Sequence, residues 1–208
     1  MSTMKALADA CAYAVVSPAI AASVAEQRLR PGAESVFGFC AHVVAWLPGM
    51  PGVVLRRAFY RGTLDACARD FYIGFGSLFT HRQATVERGA YIGAYALIGR
   101  AHLREGCLVG SRTSLLSGSN PHALQPDGTW GPTEHHRLQQ IDIGAHAWIG
   151  EGAIIMADIG TKAMVAAGAV VSTAVPPRTM VGGNPARFVR TLEPPGSQPT
   201  EHKNASGI

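Results

Sequence analysis

Apolar residues change their spacing once along this chain, near residue 71. Before that point, Ala-rich stretches predict helices over roughly 5–28, 34–46 and 53–68. Pro31-Gly32 and the Pro/Gly run at 48–52 separate them. From Ile73 onward a branched aliphatic recurs about every sixth position, often followed by Gly. Hexads open at Val86, Ile92 and Ile98, at Leu103 after one missing residue, and at Val109 and Leu115. A stretch without this period runs from about Ser117 to Gln140. The period then resumes at Ile143, Ile149, Ile155, Ile159, Val165 and Val171.

Six is three strand periods, so every sixth residue returns to the same face. Strands this short bury nothing alone, whereas stacked coils of them enclose one continuous column. The fifth position of the hexad is small (Ala96, Cys107, Thr113, Ala147, Ala153, Ala163, Ala169), as a narrow interior requires. An ordinary sheet fits less well, because the phase persists without hairpin turns. The expected architecture is mainly β: a solenoid over 71–190 with a loop insertion at 117–140. A helical segment over 1–70 is expected to cap its open end, and a flexible tail to follow over 191–208. Between Ile155 and Ile159 the aliphatic step shortens to four, so one corner there must be tight.

These hexads, and the ending Ala174-Val-Pro-Pro-Arg-Thr-Met-Val-Gly-Gly-Asn-Pro-Ala-Arg187, resemble the hexapeptide-repeat acyltransferases, in particular sugar and polysaccharide O-acetyltransferases. The resemblance implies a left-handed parallel β-helix with triangular coils, a protruding catalytic loop, and a homotrimer. It implies acetyl-CoA or another acyl-CoA as co-substrate, no metal, and a hydroxyl of a sugar, glycan or related small molecule as acceptor.

Eight histidines need sorting. His42 falls in an apolar helix, His81, His102 and His146 occupy repeat positions, and His202 lies in a polar tail. His122, His135 and His136 fall in the insertion, and reactive groups concentrate on loops held by rigid scaffolds. In the family such a loop carries a histidine about twenty residues before the resumed coil. His122, 21 residues before Ile143, matches that place. Its implied role is general base, taking the proton of an acceptor hydroxyl as that oxygen attacks a thioester. His135 and His136 are the alternatives. Relatives often place Asn directly before the histidine, whereas here Pro121 separates Asn120 from His122. Asp127 and Glu134 are the carboxylates within reach of orienting the ring, and each also reads as a solvated loop residue. By the same resemblance Trp148 flanks the active site and the pantetheine arm. Ala167, Ser172 and Thr173 match cofactor-contacting positions, and Arg187 and Arg190 match basic residues that meet its phosphates. Thr173 stands where relatives often carry Lys.

Composition narrows the alternatives. Charged residues make up 15% and hydrophobic ones 47%, which excludes a disordered chain. The formal charge is +4, and Arg56, Arg57, Arg61 and Arg69 read as a solvated face; no nucleic-acid partner is expected. Four isolated cysteines point to a reduced, cytoplasmic compartment. The first uncharged run contains Pro18 and falls short of a membrane span, and the second is broken by the Pro/Gly run. Residues 36–47, followed by Arg56 and Arg57, form either a helix buried against the rest of the chain or a peripheral contact at the inner membrane face. Two other functions suit a β-helix: a γ-carbonic-anhydrase-like metal enzyme, which pairs histidines five apart on one coil, and a non-catalytic assembly protein.

Overall fold

A computed structural model describes residues 3–118, 122–133 and 138–193. His135, His136, Glu134, Asn120, Pro121 and His202 lie outside the described residues.

Three helices come first: α1 (Thr3–Leu29), α2 (Ser35–Ala45) and α3 (Gly49–Thr63). α1 runs through Pro18, which cannot donate to the carbonyl of Ala14. The Ser17 hydroxyl donates to that carbonyl instead, at 2.8 Å. By length and composition α1 can cross a membrane over Ala6–Leu29, contrary to the reading of this run as too short. α3 begins four residues earlier than the sequence suggested. Pro51 falls in its first turn, where a missing N–H costs no hydrogen bond.

The coil follows. Its strands are β1 (Ala66–Cys67), β2 (Tyr72–Ile73), β3 (Leu78–Phe79), β4 (Thr85–Val86), β5 (Tyr91–Ile92) and β6 (Leu97–Ile98). Next come β7 (Ala101–Leu103), β8 (Leu108–Val109) and β9 (Ser114–Leu115). A hairpin, β10 (His122–Leu124) and β11 (Trp130–Thr133), interrupts them. β12 (Ile141–Ile143), β13 (Trp148–Ile149), β14 (Ile154–Ile155), β15 (Met164–Val165), β16 (Val170–Val171) and β17 (Thr179–Gly182) complete the coil. β18 (Arg187–Thr191) then turns back antiparallel along β17. The strands stack into three parallel faces: β1-β4-β7-β12 on the first, β2-β5-β8-β13-β15-β17 on the second, β3-β6-β9-β14-β16 on the third. Bridges from Ile143 to Ile159 and from Ile159 to Val175 extend the first face. This is the parallel β-solenoid the repeats led us to expect, in about six turns.

The hexad aliphatics point inward as three columns, among them Ile73, Ile92, Val109, Ile149 and Val165 on the second face, all fully buried. Each such side chain taken out of water contributes about 1.5–3 kcal/mol. The small fifth-position residues are buried beside them. At the corners leading onto the second and third faces, the third residue after the aliphatic takes positive φ. Gly76, Gly89 and Gly152 do so freely, and Tyr95, Arg112, His146, Lys162 and Arg178 do so as well. The corner from the third face back to the first is the variable one. It holds the short step from Ile155 to Ile159 and the entire insertion.

The helices lie against the first coil. The Phe79 N–H donates to Tyr60 Oη at 3.2 Å, and Gly76 N–H donates to the Ala45 carbonyl at 2.9 Å. Arg56 and Arg57 are not the solvated face the sequence suggested. Arg56 is fully buried and donates to the carbonyls of Val44, Ala45 and Leu47, at the end of α2, and of Ile73. Arg57 is paired with Asp9 of α1. Both are therefore withdrawn from any lipid contact. α2 itself is divided: Phe37, Ala41 and Val44 are buried, while Phe39, Val43 and Trp46 face outward.

Candidate functional site

Most of the coil's short strands pair above and below, and the hairpin is the element that leaves it. His122 opens β10, opposite Thr133 of β11. Its Nδ1 lies 2.8 Å from the carbonyl oxygen of Gly131. A carbonyl only accepts, so Nδ1 carries the proton and Nε2 of the neutral ring holds the lone pair. The side chain is exposed. Among the described residues the group that orients it is thus backbone, not carboxylate. Asp127 accepts instead from the Thr129 hydroxyl and N–H, which hold its carboxyl below the usual range.

Trp148 projects from β13 and is half exposed. With Tyr91, Leu108 and Gly110 it lines a shallow cleft of about 360 Å³ on the second face. Ala167 sits exposed on the edge between the second and third faces, and Ser172 and Thr173 on the following corner. The Ala167 backbone passes so close to Gly150 that a Cβ there would meet its nitrogen at 2.4 Å. Arg187 and Arg190 are exposed on β18, opposite Gly182 and Met180. These residues share the last coils and their edges. Among the described residues none of them hydrogen-bonds or ion-pairs with His122.

The other repeat histidines have partners the sequence reading did not foresee. His102 Nε2 lies 2.7 Å from Glu87 and its Nδ1 3.9 Å from Asp142. His146 covers Gly106. His81 Nδ1 lies 2.7 Å from Glu34, 47 residues away. That separation leaves no local signal by which a single sequence could pair them. Among the described residues no three His, Cys, Asp or Glu side chains gather as a metal-ion set. Desolvation pushes the buried thiols of Cys67 and Cys107 up to about 12, so neither is a nucleophile at neutral pH.

No protein-family model matches the sequence, and no curated protein does. Solved structures do. A maltose O-acetyltransferase from Clostridium difficile 630 overlays with a TM-score of 0.65 at 16% identity, over 77% of this chain and 87% of its own. A galactoside acetyltransferase in complex with coenzyme A gives 0.64 at 15% identity, over 77% and 81%. A hexapeptide-repeat-containing acetyltransferase from Vibrio cholerae gives 0.54 at 19% identity, over 76% and 89%. The fold is theirs. In this β-helix, His122 stands on the one described excursion from the coil, and Trp148 on the face that the coil leaves most aromatic, with Tyr72 and Tyr91 stacked at 4.8 Å beside it.

Proposed function

We propose that this chain is an acyl-CoA-dependent O-acyltransferase that moves an acetyl group from acetyl-CoA to a hydroxyl of a sugar, glycan or related small molecule. The observation that carries the reading is the His122 tautomer: Nδ1–H donated to the Gly131 carbonyl leaves Nε2 as a proton acceptor on an exposed hairpin. The likeness in fold to acetyltransferases, one of them solved with coenzyme A, supports it.

In this mechanism the acceptor oxygen attacks the thioester carbonyl while its proton passes to His122 Nε2. The tetrahedral intermediate collapses with loss of the CoA thiolate, which recovers that proton from the imidazolium. No acyl-enzyme forms, in keeping with the raised thiols of Cys67 and Cys107. Trp148, Ala167, Ser172 and Thr173 flank the pantetheine arm, and Arg187 and Arg190 meet the phosphates as exposed cations. The working form is a cytoplasmic homotrimer, with the exposed face of α2 available for peripheral contact at the inner membrane.

The deciding experiment follows free thiol release from acetyl-CoA across a panel of hydroxylated acceptors. His122→Ala lowers kcat by ~10²–10⁴-fold, while acetyl-CoA still raises the melting temperature. A loss below tenfold removes His122 from the role of base.

A further inference from the structure

At the root of the insertion the third face carries a second cleft, of about 260 Å³. Leu97, Leu116, Leu138 and Met156 line it, together with His81 and with Gly118 at the root of the insertion. Its volume falls just under the ~300–1,000 Å³ of sites that hold a whole small ligand, so it suits one arm of a molecule. The described lining contains no Lys or Arg. His122 is four residues from Gly118, at most about 14 Å along even a fully extended chain.

His81 supplies the polar end. Its Nδ1 lies 2.7 Å from Glu34 Oε2, and Glu34 Oε1 accepts from the Arg82 N–H at 2.9 Å. The carboxylate is held from two sides and only accepts, so it fixes the proton on Nδ1. In the neutral ring Nε2 is then the acceptor. A histidine oriented in this way beside an aliphatic cleft recognises a hydroxyl attached to an apolar body.

We infer that this cleft binds the acceptor, that it takes an apolar arm, and that His81 Nε2 accepts a hydrogen bond from a second hydroxyl of the same molecule. The inference rests on the acyl-transfer reading and narrows its substrate to amphipathic polyols, such as glycosides bearing an alkyl or aryl arm. His81 is then a binding residue distinct from the base.

The test is ligand-observed saturation-transfer NMR on the full chain with methyl and hexyl β-D-glucopyranoside, without acetyl-CoA. Hexyl glucoside should bind at least ~10-fold more tightly, since each buried methylene favours it. Leu116→Trp, which fills the cleft, should erase that preference and leave the acetyl-CoA thermal shift unchanged. His81→Ala should weaken both glycosides about 5–10-fold, and His81→Gln should restore part of the loss. A purely structural His81 would lower the melting temperature without moving glycoside affinity. Equal affinity for the two glucosides, or a hexyl preference that survives Leu116→Trp, overturns the inference. Failure of acetyl-CoA to bind, with the hexyl preference intact, instead overturns the donor reading.

Discussion

At the scale of single residues, two neighbouring glycines show how the coil uses them. A Cβ on Gly150 would meet the Ala167 backbone nitrogen at 2.4 Å, whereas one on Gly152 would meet nothing within 4 Å. Gly152 is demanding in another way, since its φ is +70°. Gly150→Ala must therefore push two coils apart, and we expect a loss of about 1–3 kcal/mol by denaturant unfolding. Gly152→Asn should cost under ~1 kcal/mol, because Asn tolerates the left-handed region. Equal losses would mean that the coils do not pack as described. The interior columns were legible in the sequence because one residue type, a branched aliphatic, serves one geometric purpose at a fixed period. The orientation of His122 was not legible. Its partner is a backbone carbonyl, which every residue carries and no side chain advertises.

At the scale of elements, the joint between helices and coil depends on two carboxylates. Glu26 accepts from the N–H groups of Val36 and Phe37 at the start of α2 and from buried Arg82, which also lies over the Phe37 ring. Burial alone would raise its pKa. The two backbone hydrogen bonds and Arg82 outweigh burial and hold it below the ordinary 4.5. Glu34 is lowered in the same sense: burial opposes, and the contacts from His81 and Arg82 prevail. A carboxylate with a depressed folded pKa stabilises the fold above its unfolded pKa and loses that contribution as pH falls through the folded value. Wild type should therefore exceed Glu26→Gln by about 3–5 kcal/mol at neutral pH, the usual cost of breaking a buried pair. The gap should narrow progressively below pH 4.5 in melting curves. A gap independent of pH would remove Glu26 from the acid response. Arg56 and Arg57 read as surface residues from sequence, because a guanidinium is assigned to solvent unless its partners are known. Those partners are carbonyls at the end of α2 and an acid far along the chain.

The hairpin is separable from its scaffold. The same corner is crossed in three intervening residues between Ile155 and Ile159 and again between Val171 and Val175. Replacing residues 118–140 by such a short corner should leave the far-ultraviolet circular dichroism and the acetyl-CoA thermal shift in place and abolish acyl transfer. Loss of the β-helix spectrum would show that the insertion is needed for folding.

The molecule as a whole presents three unlike faces. Outward positions on the first are polar and paired, as with His102 and Glu87, or Arg104 and Asp142. On the second and third they are Tyr91, Leu108 and Trp148, and Leu97 and Ile154, all well exposed. Two adjacent apolar faces on a rigid prism exceed the isolated apolar residues that a monomer scatters over its surface. Cyclic association of identical prisms would set the second face of one copy toward the third face of the next, with the clefts beside Trp148 and Leu97 left open between them. Light scattering on the purified chain of 21.9 kDa should therefore give a mass of about 66 kDa, that of a trimer. The double substitution Tyr91→Glu and Ile154→Glu places one charge on each apolar face while leaving the inward columns untouched. It should shift the mass toward the monomer with the circular dichroism unchanged. A monomeric wild type would leave the two faces without the partner this assembly gives them, and the homotrimer would have to be abandoned.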